Sequence, residues 1–245
     1  MNISDLWPLS AVELGAMREG GKIYDIFAWI ERYIYRNADG IFGQSEEIIR
    51  HVNQFPSTKN KFVYRNLQQY AVAAQPKRKH TPFRIVYAGL LGVAQDIYSI
   101  IENIPFQSIG AEFHLYGGGN QAEKIKEYIN KHPGCFVYYH GYVKKEQIAE
   151  ELSRYDASIV PLTVAIKGAV PSKIYDLIPI GIPILFCGGG EGAEIVSKYY
   201  FGMVSKPHDF KQLHNNIIEL INLLTKNTAQ YRRTAWIWQK NEIRF

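Results

Sequence analysis

From Phe83 onward the chain alternates short apolar runs with helical patterns, and that alternation constrains its fold more than any other feature. Strand-like runs occupy Phe83–Ala88, Glu112–Tyr116, Phe136–Tyr139, Ala157–Val160, Ile182–Phe186 and Gly202–Val204. Helical patterns fill the intervals at Asp96–Glu102, Gln121–Lys131, Lys144–Arg154, Pro171–Ile178, Ala193–Tyr199 and Asp209–Leu224. Strand and helix in turn make βαβ units, and βαβ units make a parallel sheet. The runs are short, β-rich and apolar rather than alternating, as in strands covered on both faces. The expected fold is α/β, a Rossmann-like doubly wound parallel sheet, which takes ligands at the carboxyl ends of its strands.

The first 66 residues follow a different pattern. Ile23–Asn37 is an aromatic-rich helix pattern, Asp39–Phe42 and Lys61–Arg65 read as short strands, and Ser45 is placed to cap a helix over Glu46–Asn53. These are too few strands for a complete domain, so residues 1–66 are expected to be the tail end of one. Residues 67–82, with the basic run Pro76–His80, read as a linker. Residues 83–227 form the sheet domain, and residues 228–245, with Trp236 and Trp238 close together, read as one more helix. The aromatic helix fits a core or interdomain position, with contact at a membrane interface as the alternative.

Chemistry concentrates in Val170–Ile195. Gly188, Gly189, Gly190 and Gly192 lie between an apolar strand and a helix, where bare backbone and a helix N-terminus make a cradle for an anion. A tight turn is the plain alternative. Ser172 and Lys173 just upstream supply a hydroxyl and a cation, and a diphosphate is the natural guest. Lys173 opposes the dipole of the helix it begins, which an anion would offset; otherwise it is a solvated lysine. Asp176 shares its helix face, suited to ribose hydroxyls or to a surface pair with Lys173. Glu191 is expected to turn toward a sugar hydroxyl or solvent. The loop Gly89–Gln95 gives a second cradle that brings Gly89 and Leu90 to the ligand, and Gly117–Gly119 reads as a turn.

The formal charge of +5 suits an anionic partner or simply solubility. Basic residues are spread out, which argues against nucleic acid. Cys135 and Cys187 lie far apart and read as buried thiols, and no cluster with zinc spacing occurs, so no metal is expected. His114 and His140 read as packed, satisfied histidines. With no apolar stretch long enough to span a bilayer and no signal-peptide pattern, the expected location is the cytoplasm, with possible peripheral contact at the inner membrane surface.

Together these residues resemble the nucleotide-sugar-binding half of GT-B glycosyltransferases, specifically the family 4 type of bacterial surface-polysaccharide assembly. Gly181-Ile182-Pro183 and Gly190–Glu194 match part of the family signature, and its second acid falls on Asp176, which implies the ribose role. The first acid falls on Gly168, a departure. Pro171-Ser172-Lys173 and the Gly89–Gln95 loop are similar to those of a subgroup acting on aminosugars. The common Arg and Lys of the first loop are here Leu90 and Gln95, and the subgroup's Lys is Val93. The resemblance implies a retaining transfer from a nucleoside diphosphate sugar, UDP-linked, to a sugar or lipid-linked acceptor, without an obligate metal or other cofactor. Lys173 would be the catalytic cation. Gly89, Leu90, Ser172, Asp176, Gly189, Gly190, Glu191, Gly192, Ala193 and Tyr142 would bind donor, with Phe136–Tyr142 lining the base pocket and Lys167 as a second cation. A complete enzyme of this kind has a larger N-terminal domain, so a separate subunit carrying that half, or self-association, is implied. Two other readings stay open: a non-catalytic nucleotide-sugar or partner-binding module, and a sugar epimerase of related fold.

Overall fold

The computed structural model describes residues 1–55, 60–65, 80–164 and 166–226. Most of the linker and the expected helix over 228–245 lie outside the described residues. The described residues form two parallel sheets. The larger contains β4 (Phe83–Ala88), β5 (Ala111–Tyr116), β6 (Val137–Gly141), β7 (Ala157–Pro161), β8 (Ile184–Cys187) and β9 (Gly202–Ser205), in the order β6-β5-β4-β7-β8-β9. Every neighbouring pair is parallel. Numbered from the domain's first strand this is the order 3-2-1-4-5-6, whose direction reverses between β4 and β7.

Side-chain alternation builds the layers. On β4, Phe83, Ile85 and Tyr87 face the core shared with α4 (Ile97–Asn103), α5 (Ala122–Lys131) and α9 (Phe210–Lys226). Val86 faces the opposite core with α6 (Ile148–Ser153), α7 (Ser172–Ile180) and α8 (Gly190–Lys198). On β8, Leu185 and Cys187 face the first core while Ile184 and Phe186 face the second. The expected doubly wound sheet is present.

The smaller sheet has β1 (Asn2–Ile3), β2 (Gly40–Gly43) and β3 (Asn60–Val63) in chain order, all parallel. It carries α1 (Leu9–Glu13), α2 (Lys22–Asn37) and α3 (Glu46–Val52). Its core is small: Ile3, Leu6, Tyr35, Ile41, Ile48 and Val52. Ser45 caps α3 as expected, accepting from the Ile48 N–H at 3.1 Å.

Three local expectations need correction, and two N-terminal elements were not expected. The N-terminal segment forms β1 and α1, which its mixed sequence does not signal. The helix expected over Lys144–Arg154 splits into a 3₁₀ turn at Lys145–Gln147 and α6. β8 begins at Ile184, two residues late, because Pro183 has no N–H to give the ladder. The glycine-rich loop is shorter than expected: Gly189 caps α8 and the helix already includes Gly190, Glu191 and Gly192.

Candidate functional site

The crevice of the larger sheet opens where its order reverses. β4 and β7 pair only at Ile85↔Ala157 and Val86↔Ser158, after which Ala88 and Pro161 diverge. A cavity of about 60 Å³ lies there, lined by Ala88, Ser158, Leu152, Lys173, Asp176 and Leu177. Lys173 enters it from the first turn of α7. A Cβ placed on Gly89 would overlap Lys173 Cε and lie 2.7 Å from its Nζ, so the lysine stem lies flat on bare backbone. Gly89 has φ 153°. Glycine is required twice here, for the backbone angle and for the lysine. The ammonium also lies 5.8 Å from the Tyr87 ring centroid. Burial holds Lys173 below the ordinary lysine value, and Asp176 opposes part of that shift. Sequence spacing alone could not have paired Lys173 with Gly89.

Hydrogen bonds tie down the first loop. Tyr87, fully buried, donates its hydroxyl to the Leu90 carbonyl at 2.6 Å. Gly89 N–H donates to Tyr116 O at 3.0 Å and Leu91 N–H to Gly118 O at 2.9 Å. A Cβ on Gly117 would collide with the Gly89 carbonyl, so Gly117–Gly119 serve the close packing of two loops. Tyr142 is 83% exposed and its hydroxyl lies on Gly118, just beyond the carboxyl end of β6. Leu90, 59% exposed, and Ser172 stand open on the same rim.

Phe136 does not reach this rim. It precedes β6, at the end of the strand opposite Gly141 and Tyr142, and packs on the core with α4 and α5. A strand rises about 3.3 Å per residue, so only the last residues of Phe136–Tyr142 can meet a ligand at the crevice. Gln95 lines a different space, a cavity of about 20 Å³ with Cys187, Ser205 and His208. Burial pushes the Cys187 thiol up to about 12. Among the described residues no group of three or more His, Cys, Asp or Glu is placed to hold a metal.

The first turn of α8 is turned toward the smaller sheet. Gly192 is buried, and a Cβ there would meet Phe186 and Ile174. Glu191 is 3% exposed. Its Oε2 accepts from the Glu47 N–H at 2.9 Å and its Oε1 from Arg65 Nη1 at 3.0 Å. Glu191 therefore does not face solvent as expected: a buried carboxylate needs a partner, and Arg65 is it. Gly189 and Ala193 are half-buried, and only Gly190 of this turn is exposed, with φ 65°. Sequence reasoning missed Arg65 altogether, because its partners lie more than a hundred residues away.

Gly168, where the family's first acid falls, is closed by the smaller unit. Its N–H donates to Glu47 Oε2 at 2.7 Å and its carbonyl accepts from Ser45 Oγ at 2.7 Å. A Cβ there would lie 2.9 Å from Ile48 Cγ1 and 3.2 Å from Leu6. The neighbouring Lys167 side chain is exposed, and its backbone N–H donates to Glu13.

The family model described as Glycosyl transferases group 1 matches residues 82–223, the whole of the larger sheet and most of α9. The chain belongs to this family. A search among curated proteins finds no significant match. Among solved structures, a mutant of S. aureus TarM in complex with fondaparinux, alpha-GlcNAc-glycerol and UDP aligns at TM-score 0.58 and 19% identity, covering 91% of this chain and 48% of that one. WaaG, a glycosyltransferase involved in lipopolysaccharide biosynthesis, aligns at TM-score 0.72 and 13% identity, covering 98% and 70%. The GtfA/B complex aligns at 0.60 and 15%, covering 85% and 44%. These identities establish a shared fold. The chain spans about half the length of the TarM and GtfA/B chains.

Proposed function

We propose that this chain is the donor-binding part of a glycosyltransferase, which takes a sugar from a nucleoside diphosphate sugar, UDP-linked, to a sugar or lipid-linked acceptor with retention. The carrying observation is Lys173 laid on Gly89 at the switch point of the sheet. Such a half-buried cation gains most from a ligand that brings negative charge into the crevice, as a diphosphate does. In the transfer, the anomeric carbon leaves a diphosphate oxygen and joins an acceptor oxygen, the acceptor's proton passes to the departing diphosphate, and Lys173 stabilises the negative charge that develops there. Gly89, Leu90 and Ser172 would frame the phosphates, Asp176 the ribose, and Tyr142 the base side of the rim. The TarM mutant is in complex with UDP, which supports the choice of nucleotide.

Lys173→Ala should weaken UDP binding at least about tenfold, or 1.4 kcal/mol, by calorimetry on the full chain. Unchanged affinity would remove Lys173 from the site.

A separate chain carrying the acceptor half belongs to this reading, and the pairing of two components in the GtfA/B complex supports it. A non-catalytic binding module is the second reading, favoured by the uncharged Leu90 exposed where the family has Arg. Turnover assayed with the partner half present separates the two.

A further inference from the structure

We infer that Arg65 is a positioning residue for the donor site, setting the rotation of α7 through Tyr175; the inference rests on the donor-site reading above. Arg65 Nη1 donates to Tyr175 Oη at 2.9 Å and to Glu191 Oε1 at 3.0 Å. Tyr175 and Glu191 are each 3% exposed, so the guanidinium joins two buried groups, one on α7 and one on α8. Arg65 itself belongs to the smaller unit, two residues beyond β3. The Glu47 N–H closes the network on Glu191 at 2.9 Å.

Helix geometry links this network to the crevice. Each α-helical residue turns about 100°, so Tyr175 lies about 200° around α7 from Lys173, nearly on the opposite side. Asp176 lies about 60° from Lys173, on its own face. Holding the Tyr175 hydroxyl on the side of the smaller unit therefore points Lys173 into the crevice. The glycine contact makes the lysine sensitive to that rotation, because its stem fits only over the bare backbone of Gly89. A planar guanidinium serves two acceptors at once, which a lysine ammonium does with less fixed geometry.

The test uses the full chain and two readouts. Tyr175→Phe removes one hydroxyl and leaves the Arg65–Glu191 pair. Arg65→Met removes the bridge, and Arg65→Lys restores its charge. We expect Tyr175→Phe to weaken UDP binding about fivefold, the worth of one such hydrogen bond. Arg65→Met should weaken it further, with Arg65→Lys between the two. Acetylation of Lys173 by acetic anhydride, followed by peptide mass spectrometry, should quicken at least about threefold in Tyr175→Phe as the stem leaves Gly89. Wild-type rates of Lys173 acetylation in Tyr175→Phe overturn the inference, whether or not UDP affinity falls, because α7 has then not turned. If the wild-type chain binds none of UDP, GDP and ADP, the donor reading fails. The acetylation rates then decide the positioning role alone. Should Arg65→Met fail to fold, Tyr175→Phe carries the test.

Discussion

His114 and His140 show how a pair of residues on an open sheet face can couple the fold to pH. His114 Nδ1 lies 2.9 Å from His140 Nε2, and His114 Nε2 lies 3.2 Å from Glu112 Oε2. The network assigns the tautomers: His114 donates to Glu112 and accepts from His140. A proton added to His114 would turn two N–H groups toward each other. Around the pair stand Tyr138, Tyr116, Tyr155, Glu112, Glu151 and Arg84. Burial holds both histidines below the ordinary value; for His114, Glu112 opposes the shift. The unfolded chain therefore binds more protons below about pH 6.5, and stability falls there. The contribution of the neutral pair is complete above about pH 6.5 and is lost as pH drops through the lower folded values. Thermal melts between pH 7.5 and 5 should show a steeper fall for wild type than for His114→Asn. Parallel slopes would mean that the pair does not carry the dependence. The expectation of packed histidines holds for half-buried His114, while His140 is only partly covered, by its stacking on the His114 and Tyr116 rings.

At the scale of elements, the departure at Gly168 has a mechanical reason. α3 meets the loop before α7 through Ser45, Glu47 and Ile48, and the space beside Gly168 belongs to Ile48 and Leu6. Restoring the family's acid with Gly168→Glu would drive a side chain into that packing at a residue with φ 81°. The expected cost is about 3 kcal/mol, on the order of 10 °C in Tm. A Gly168→Glu chain that melts with wild type would show that the loop and α3 part freely. The same seam marks the limit of what the sequence makes legible. Strands such as Phe83–Ala88 and helices such as Gln121–Lys131 could be read because burial on two faces imposes local apolar patterns. Lys173 could be read as a candidate from its place at a helix start. Its support by Gly89, and the capture of Glu191 by Arg65, could not, since long-range contacts leave no period in the chain. β1 lay hidden for a related reason: two residues are too few to show any pattern, and only β2 identifies them as a strand.

Among the described residues, one helix lacks an adequate core. In α2 only Tyr35 is buried, while Ile23, Ile26, Trp29, Ile30, Tyr33 and Ile34 are between 37% and 63% exposed. Phe42 and Phe62, stacked at 5.4 Å on the smaller sheet, are about half exposed as well. Apolar surface of this extent marks an interface rather than a free face. Among the described residues no helix is long and apolar enough to cross a membrane. An anionic bilayer would find no excess of cations to attract, because residues 1–66 carry eight Lys and Arg against eight Asp and Glu. A protein surface is the better match, whether the acceptor-side chain proposed above or a second copy. If apolar contact drives association, Ile26→Lys with Trp29→Glu should lower the mass measured by light scattering toward that of one chain. Because both side chains are exposed, the double variant should melt within about 2 °C of wild type. Association that survives the two charges would move the interface away from α2 and onto the open edges of the smaller sheet.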